Sequence, residues 1–216
     1  MSGIMLNIAG GSFAPDGPTV IGQAFGGGFY AGQIGVSGVA THYLIVGPAA
    51  SADNSGKQYK NANTDTPGAA SVIDGPQNTA DIVADGNSTV YPAGHFCNDL
   101  VIGGFSDWYM PAKNELEVCY YNLKPTTGNN STGSGANTNA VPSRGSNYTV
   151  GTPAQTSVTA FQSGGAEAFS SAGVEYWSST ETSTNVALCQ YFDDARQQSF
   201  NKTGSVRVRA IRRVAV

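Results

Sequence analysis

Apolar residues in this chain come in short runs between long polar stretches, and the runs carry the structural signal. Phe29-Tyr30-Ala31-Gly32-Gln33-Ile34 and Tyr43-Leu44-Ile45-Val46 are rich in aromatic and β-branched residues and lie a short connection apart, which predicts a β-hairpin. Ala93, Phe96, Cys97 and Leu100 recur at the spacing of one helical face, with Pro92 at the start and Gly103-Gly104 beyond the end. A second helix is predicted from Pro111 to about Asn122, stopping before Pro125. Its face is Ala112, Leu116, Cys119, Tyr120 and Leu123, and proline suits its first turn because the missing N–H would have been unpaired there anyway. Pro153 to Gln162 reads as a short helix ended by Gly164-Gly165. Ala187 to Phe192 and Gln198 to Asn201 read as strands joined by a turn at Asp193-Asp194-Ala195. Val206 to Val214 reads as the last strand.

The polar stretches set the domain organisation. Residues 1–27 are Gly-rich with small apolar islands, too little to bury a core, and read as an attachment arm ahead of a single domain over 28–216. Residues 49–78 are loop-like. The segment of about 124–175, dominated at its centre by Gly, Asn, Ser and Thr, reads as a polar insertion within the domain.

Composition narrows the function classes. Charged residues are 12% of the chain and glycine is 28 of 216, so small polar residues must cover the surface. A net charge of −4 argues against a general nucleic-acid binder, which needs a basic footprint. Arg207, Arg209, Arg212 and Arg213 are the local exception, and are expected to form the solvent face and rim of the last strand rather than a phosphate site. No apolar run is long enough to cross a bilayer, and the first residues lack the basic and apolar regions of a signal peptide. Cys97, Cys119 and Cys189 cannot all pair; the first two sit on helical faces and are expected as buried thiols.

Three segments in order are the most specific feature: Asp107-Trp108-Tyr109-Met110-Pro111 before a Glu115-Leu116 helix, Tyr176-Trp177-Ser178-Ser179-Thr180-Glu181, and Val208-Arg209-Ala210-Ile211-Arg212. Together they resemble the family named for the C-terminal domain of a Legionella collagen-like adhesin, including versions on bacteriophage fibres and retroelement-diversified receptor-binding proteins. The resemblance implies an α+β, C-type-lectin-like fold with two helices, a small mainly antiparallel sheet, long loops and paired termini. Trp108, Tyr109, Met110, Leu116 and Trp177 are then expected in the core, and Trp177-Ser178-Ser179-Thr180 as core tryptophan followed by a turn.

Enzymatic chemistry is not expected. Formylglycine-generating relatives of the fold need two close cysteines near the C-terminus, where only Cys189 stands. Gly35-Val36-Ser37-Gly38 is not the Gly-x-Ser-x-Gly of a nucleophile elbow, and His42 and His95 have no partner in sequence. Asp193-Asp194 are adjacent on a turn, which rarely gives the opposed carboxylates of a glycosidase. The Glu-Pro-Asn, Gln-Pro-Asp and Trp-Asn-Asp signatures of calcium-dependent lectins are missing, so no metal or cofactor is expected.

Binding through a shaped surface remains. In diversified members the variable positions lie between the Trp-Ser-Ser motif and the last strand. By position this implies a ligand face of Leu188, Gln190, Asp193, Asp194, Arg196, Gln198, Phe200, Gly204 and Val206. The implied role is a phage tail-fibre or tail-tip protein that binds a host cell-surface receptor, protein or glycan, without catalysis. It would sit in the virion as a homotrimer, attached to other virion proteins through the N-terminal arm, with no nucleic-acid partner and no membrane insertion. The alternatives are a structural capsid-fibre, decoration or baseplate protein, and a bacterial surface adhesin.

Overall fold

The computed structural model describes residues 17–216, and the first part of the expected arm lies outside them. Among the described residues the architecture is mixed α+β, with two five-stranded sheets and four helices. In the first sheet, β1 (Ala24–Phe25), β2 (Gly28–Val36), β3 (Val39–Val46) and β10 (Ile211–Ala215) lie in that order, and β5 (Ala140–Val141) pairs with β2. In the second, the order is β4 (Asp53–Gln58), β9 (Ser205–Arg209), β6 (Glu175–Ser183), β7 (Val186–Tyr191), β8 (Gln197–Asn201). Every pairing is antiparallel except β6 with β9.

The predicted hairpin is present as β2–β3. Its turn is Ser37-Gly38, both at positive φ (52° and 80°), the conformation that matches the right-handed twist of two strands joined by two residues. Ser37 is thus a turn residue. The two expected helices are α3 (Pro92–Asn98) and α4 (Lys113–Leu123). Two more were not foreseen: the single turn α1 (Ala49–Ala52) and α2 (Gly75–Asp85), whose amide-rich sequence buries Ile82, Thr79 and Asn78 on its inner face. The helix expected at 153–162 is only a 3-10 turn, Thr159–Phe161. Residues 17–27 do not form a free arm: Pro18 is buried, Ile21 packs on the core and β1 pairs with β2.

The three motifs meet. Glu115, fully buried at the start of α4, accepts the Ala112 and Gly75 peptide N–H groups at 2.8 and 3.1 Å on one oxygen. Its other oxygen takes Tyr109 Oη at 2.5 Å and Arg213 Nε at 2.7 Å. Ser179 N–H donates to Pro111 C=O at 2.8 Å, and Lys113 N–H to Thr180 Oγ1 at 3.0 Å. Tyr109 exchanges both peptide hydrogen bonds with Ile211. Burying these polar groups is tolerable because each finds a partner. Trp108 and Trp177 are core, their indole N–H groups capped by the carbonyls of Phe105 and Lys57. The segment after Trp177 is no turn; it continues β6 through a register shift between Trp177 and Glu181.

The expected last strand is two strands in different sheets. β9 pairs with β4 and β6, the chain crosses at Ala210, and β10 pairs with β3 rather than with the first long strand. Tyr43 of β3 pairs with Val214 on one side and abuts Gly17, so both ends of the described chain converge on β3. The terminal arginines are not a solvated rim. Arg207 pairs with Asp53 at 2.8 Å, Arg209 with Glu167 at 2.9 Å, Arg212 with Asp107 at 2.7 Å and Arg213 with Glu115, each reaching an acid far away in sequence. Arg209 is 1% exposed and stacks over Phe169 at 4.6 Å.

Candidate functional site

Cross-strand register decides which expected ligand residues share a face, because directly opposed residues of an antiparallel pair project to the same side. Leu188 opposes Ser199 and Gln190 opposes Gln197, while Cys189 opposes Gln198 and Ala187 opposes Phe200. Leu188 and Gln190 therefore lie on one side of the β7–β8 hairpin, and Gln198 and Phe200 on the other. The nine positions do not form one surface.

Two of them are buried. Gln190 is 1% exposed and donates Nε2 to the Ala195 carbonyl at 2.8 Å, bracing the turn from inside. Val206 packs in the core beside Trp177 and Val208. Phe200 is half-buried, edge-on to Trp177 with centroids 5.8 Å apart, and the open space beside Gly204 is filled by the Phe200 ring. Phe200 is thus an outer layer of the core more than a free anchor.

Arg196, Asp194 and Gln198 remain together with two residues the sequence reading did not select, Tyr191 and Glu175. Ala195 has φ of 72°, a left-handed turn that swings Arg196 back over β7. The Arg196 guanidinium lies 4.3 Å from the centroid of the Tyr191 ring, and its Nε donates to Asp194 Oδ2 at 2.6 Å. Tyr191 Oη donates to Glu175 Oε1 and accepts from Gln198 Nε2 at 3.1 Å. Burial, reinforced by Glu175, pushes the Tyr191 phenol up to about 12, so it stays a neutral donor at physiological pH. Asp194 holds the Arg196 cation and raises its pKa further. Burial and the neighbouring Asp194 raise the Asp193 carboxyl. The result is a platform in which a half-exposed cation covers a largely buried aromatic ring, edged by carboxylates and an amide.

Tyr191 and Glu175 were legible in principle, since Tyr191 alternates with Cys189 and opposes Glu175 across β6–β7. What hid them was reading the Trp-Ser-Ser segment as a turn. Cys189 does not contribute a reactive group; burial first, then Glu175, pushes its thiol up to about 12. His95 is held by the Gly86 carbonyl at 2.7 Å, and His42 by Thr41 Oγ1 at 3.0 Å. No cluster of three or more metal-ligating side chains occurs among the described residues.

The family model of the Lcl C-terminal domain matches residues 60–212, which spans all three motifs and the platform. The chain belongs to that family. Among solved structures it is similar to a fimbrial protein from Bacteroides ovatus, at 14% identity and a TM-score of 0.45, over 85% of this chain and 43% of that one. The chain thus spans less than half the length of the fimbrial protein. No curated protein matches. The family's motifs coincide with the contacts around Glu115, Ser179 and Ile211 described above. They hold the fold together, and the platform lies outside them.

Proposed function

We propose that this chain is a non-catalytic, adhesin-like binding domain of C-type-lectin-like type that engages a surface ligand through the Tyr191–Arg196–Gln198 platform. The observation that carries the reading is Arg196 held over Tyr191 by Asp194, with Glu175 and Gln198 fixing the ring. Aromatic and arginine anchors with restricted rotamers dominate interface energies because little side-chain freedom is lost when they bind. Membership in a family named for an adhesin domain supports the class. As carrier we propose a bacteriophage tail fibre or tail tip that contacts the host cell surface, where several copies on one particle raise the effective concentration of a weak site.

The test is binding of the fluorescently labelled chain to a panel of intact bacteria. The chain binds a subset of strains, and Arg196→Ala with Gln198→Ala abolishes it while the melting temperature holds. Phe200 is left intact because it packs on Trp177. Equal binding by both proteins would remove the platform from the site. Absence of binding to every strain by a folded protein would move the reading to a structural virion component.

A further inference from the structure

Among the described residues, β10 is an edge strand of the first sheet. In an antiparallel ladder alternate residues bond to the partner strand, and the ones between direct N–H and C=O to the other side. In β10 the even positions face β3: Gly47 N–H donates to Ala210 C=O, and Val216 N–H to Thr41 C=O. The odd positions face outward. Ile211 gives both its groups to Tyr109, and there the pairing stops, because the chain turns away at Trp108 and Asp107 swings onto Arg212. Among the described residues no hydrogen bond engages the peptide groups of Arg213 or Ala215.

Those two positions open into a cleft of about 550 Å³, walled on the far side by Pro76, Thr79 and Ala80 of α2. That volume falls within the range of about 300–1,000 Å³ common to ligand sites. The charge exposed at its rim is negative. Asp74 and Asp107 expose 47% and 55% of their side chains, whereas their partners Arg213 and Arg212 expose 16% and 9%. A smaller hollow continues from the cleft past His42, Asp74 and Arg213 to Val36, which is exposed at the hairpin end with its pair Val39.

We infer that this cleft takes an extended peptide segment of a partner protein, added as a strand opposite Arg213 and Ala215, with a lysine or arginine side chain reaching Asp74 and apolar side chains on the valine rim. An unpaired strand edge supplies backbone recognition without sequence preference, and the pockets beside it supply selectivity. The site shares no residue with the hairpin platform, so its fate is independent of that proposal.

The probe is a short fluorescent peptide alternating valine and threonine around one central lysine. Two controls carry glutamate in place of the lysine, or N-methyl groups on the edge-facing amides. Binding is read by anisotropy. The lysine peptide binds saturably, and the glutamate and N-methyl peptides bind about tenfold more weakly or not at all. Ala215→Pro removes an outward N–H that β3 does not use, so it keeps the fold and the melting temperature but loses the peptide. Asp74→Asn keeps the helix cap and erases the preference for lysine over glutamate. Absence of saturable binding, or binding indifferent to N-methylation and to Ala215→Pro, overturns the proposal. Self-association of the chain that Ala215→Pro abolishes, with no peptide binding, would replace the peptide by a second copy and overturn it equally.

Discussion

Glu117 holds the polar insertion to α4, and cutting that hold tests whether it is worth what its burial implies. The carboxylate is fully buried and accepts from Tyr148 Oη at 2.5 Å, Asn137 Nδ2 at 2.5 Å and the Arg144 guanidinium, which also lies 3.8 Å from the Tyr121 ring centroid. Arg144→Ala leaves the anion with two neutral donors and no hydrogen-bonded cation. Removing one partner of a buried pair costs about 3–5 kcal/mol; Arg144 keeps 16% exposure, so the lower end, about 3 kcal/mol, applies. At about 2–4 °C per kcal/mol for a domain of this size, the melting temperature falls by about 6–12 °C near neutral pH. Burial already raises the Glu117 carboxyl, and loss of the arginine raises it further. A carboxyl raised in the folded state takes up its proton before the unfolded one does. The deficit is therefore full above the variant's folded pKa and shrinks as pH falls toward the wild type's own raised value. Calorimetry of wild type and variant at neutral pH and near pH 5 should show the gap narrowing, and Glu117→Gln/Arg144→Met should recover most of the loss. A fall under about 2 °C, or an equal fall at both pH values, would refute the account.

Trp177→Ala opens a void beneath Tyr59 and Phe200 and strands the Lys57 carbonyl, so it should cost about 3–5 kcal/mol by denaturant unfolding; a wild-type midpoint would contradict its place in the core. The three thiols are buried and their pKa values raised by burial, so a thiol-reactive disulfide reagent should label none in the native protein at neutral pH and all three in denaturant. Fast native labelling would show that a helix or the β7–β8 hairpin opens. The strain-panel and peptide experiments above complete the set.

Where apolar spacing set the structure, the sequence was readable: β2, β3, α3, α4 and β7 follow runs or faces of large hydrophobics. It was least readable where burial is polar. α2 offers Asn78 and Thr79 to the interior in place of aliphatic side chains, and β6 buries Ser178, Ser179 and Thr180 against Leu188, Pro111 and Lys113. Such residues look like loop until their partners are known. The terminal arginines misled for the same reason, since Arg212 finds Asp107 and Arg207 finds Asp53 only across the fold. Of the nine expected face positions, Asp194, Arg196 and Gln198 come together beside Tyr191. Gln190 and Val206 lie in the interior, and Leu188 faces away from Gln198, a division that strand register shows and the sequence alone does not.

The crossing at Ala210 has a bearing on how the molecule is made. Strand β9 lies inside the second sheet between β4 and β6, and β10 completes the first beside β3. Neither sheet has its full hydrogen-bond ladder, and Glu115, Glu167, Asp53 and Asp107 lack their arginines, until residue 215 has left the ribosome. A nascent chain would hold β2–β3 and β6–β7 as hairpins whose carboxylates wait in a half-built interior, so closure comes as one late step that joins both sheets. Synthesis stopped before that strand should yield a species that chaperones retain, whatever the quality of the core laid down before it.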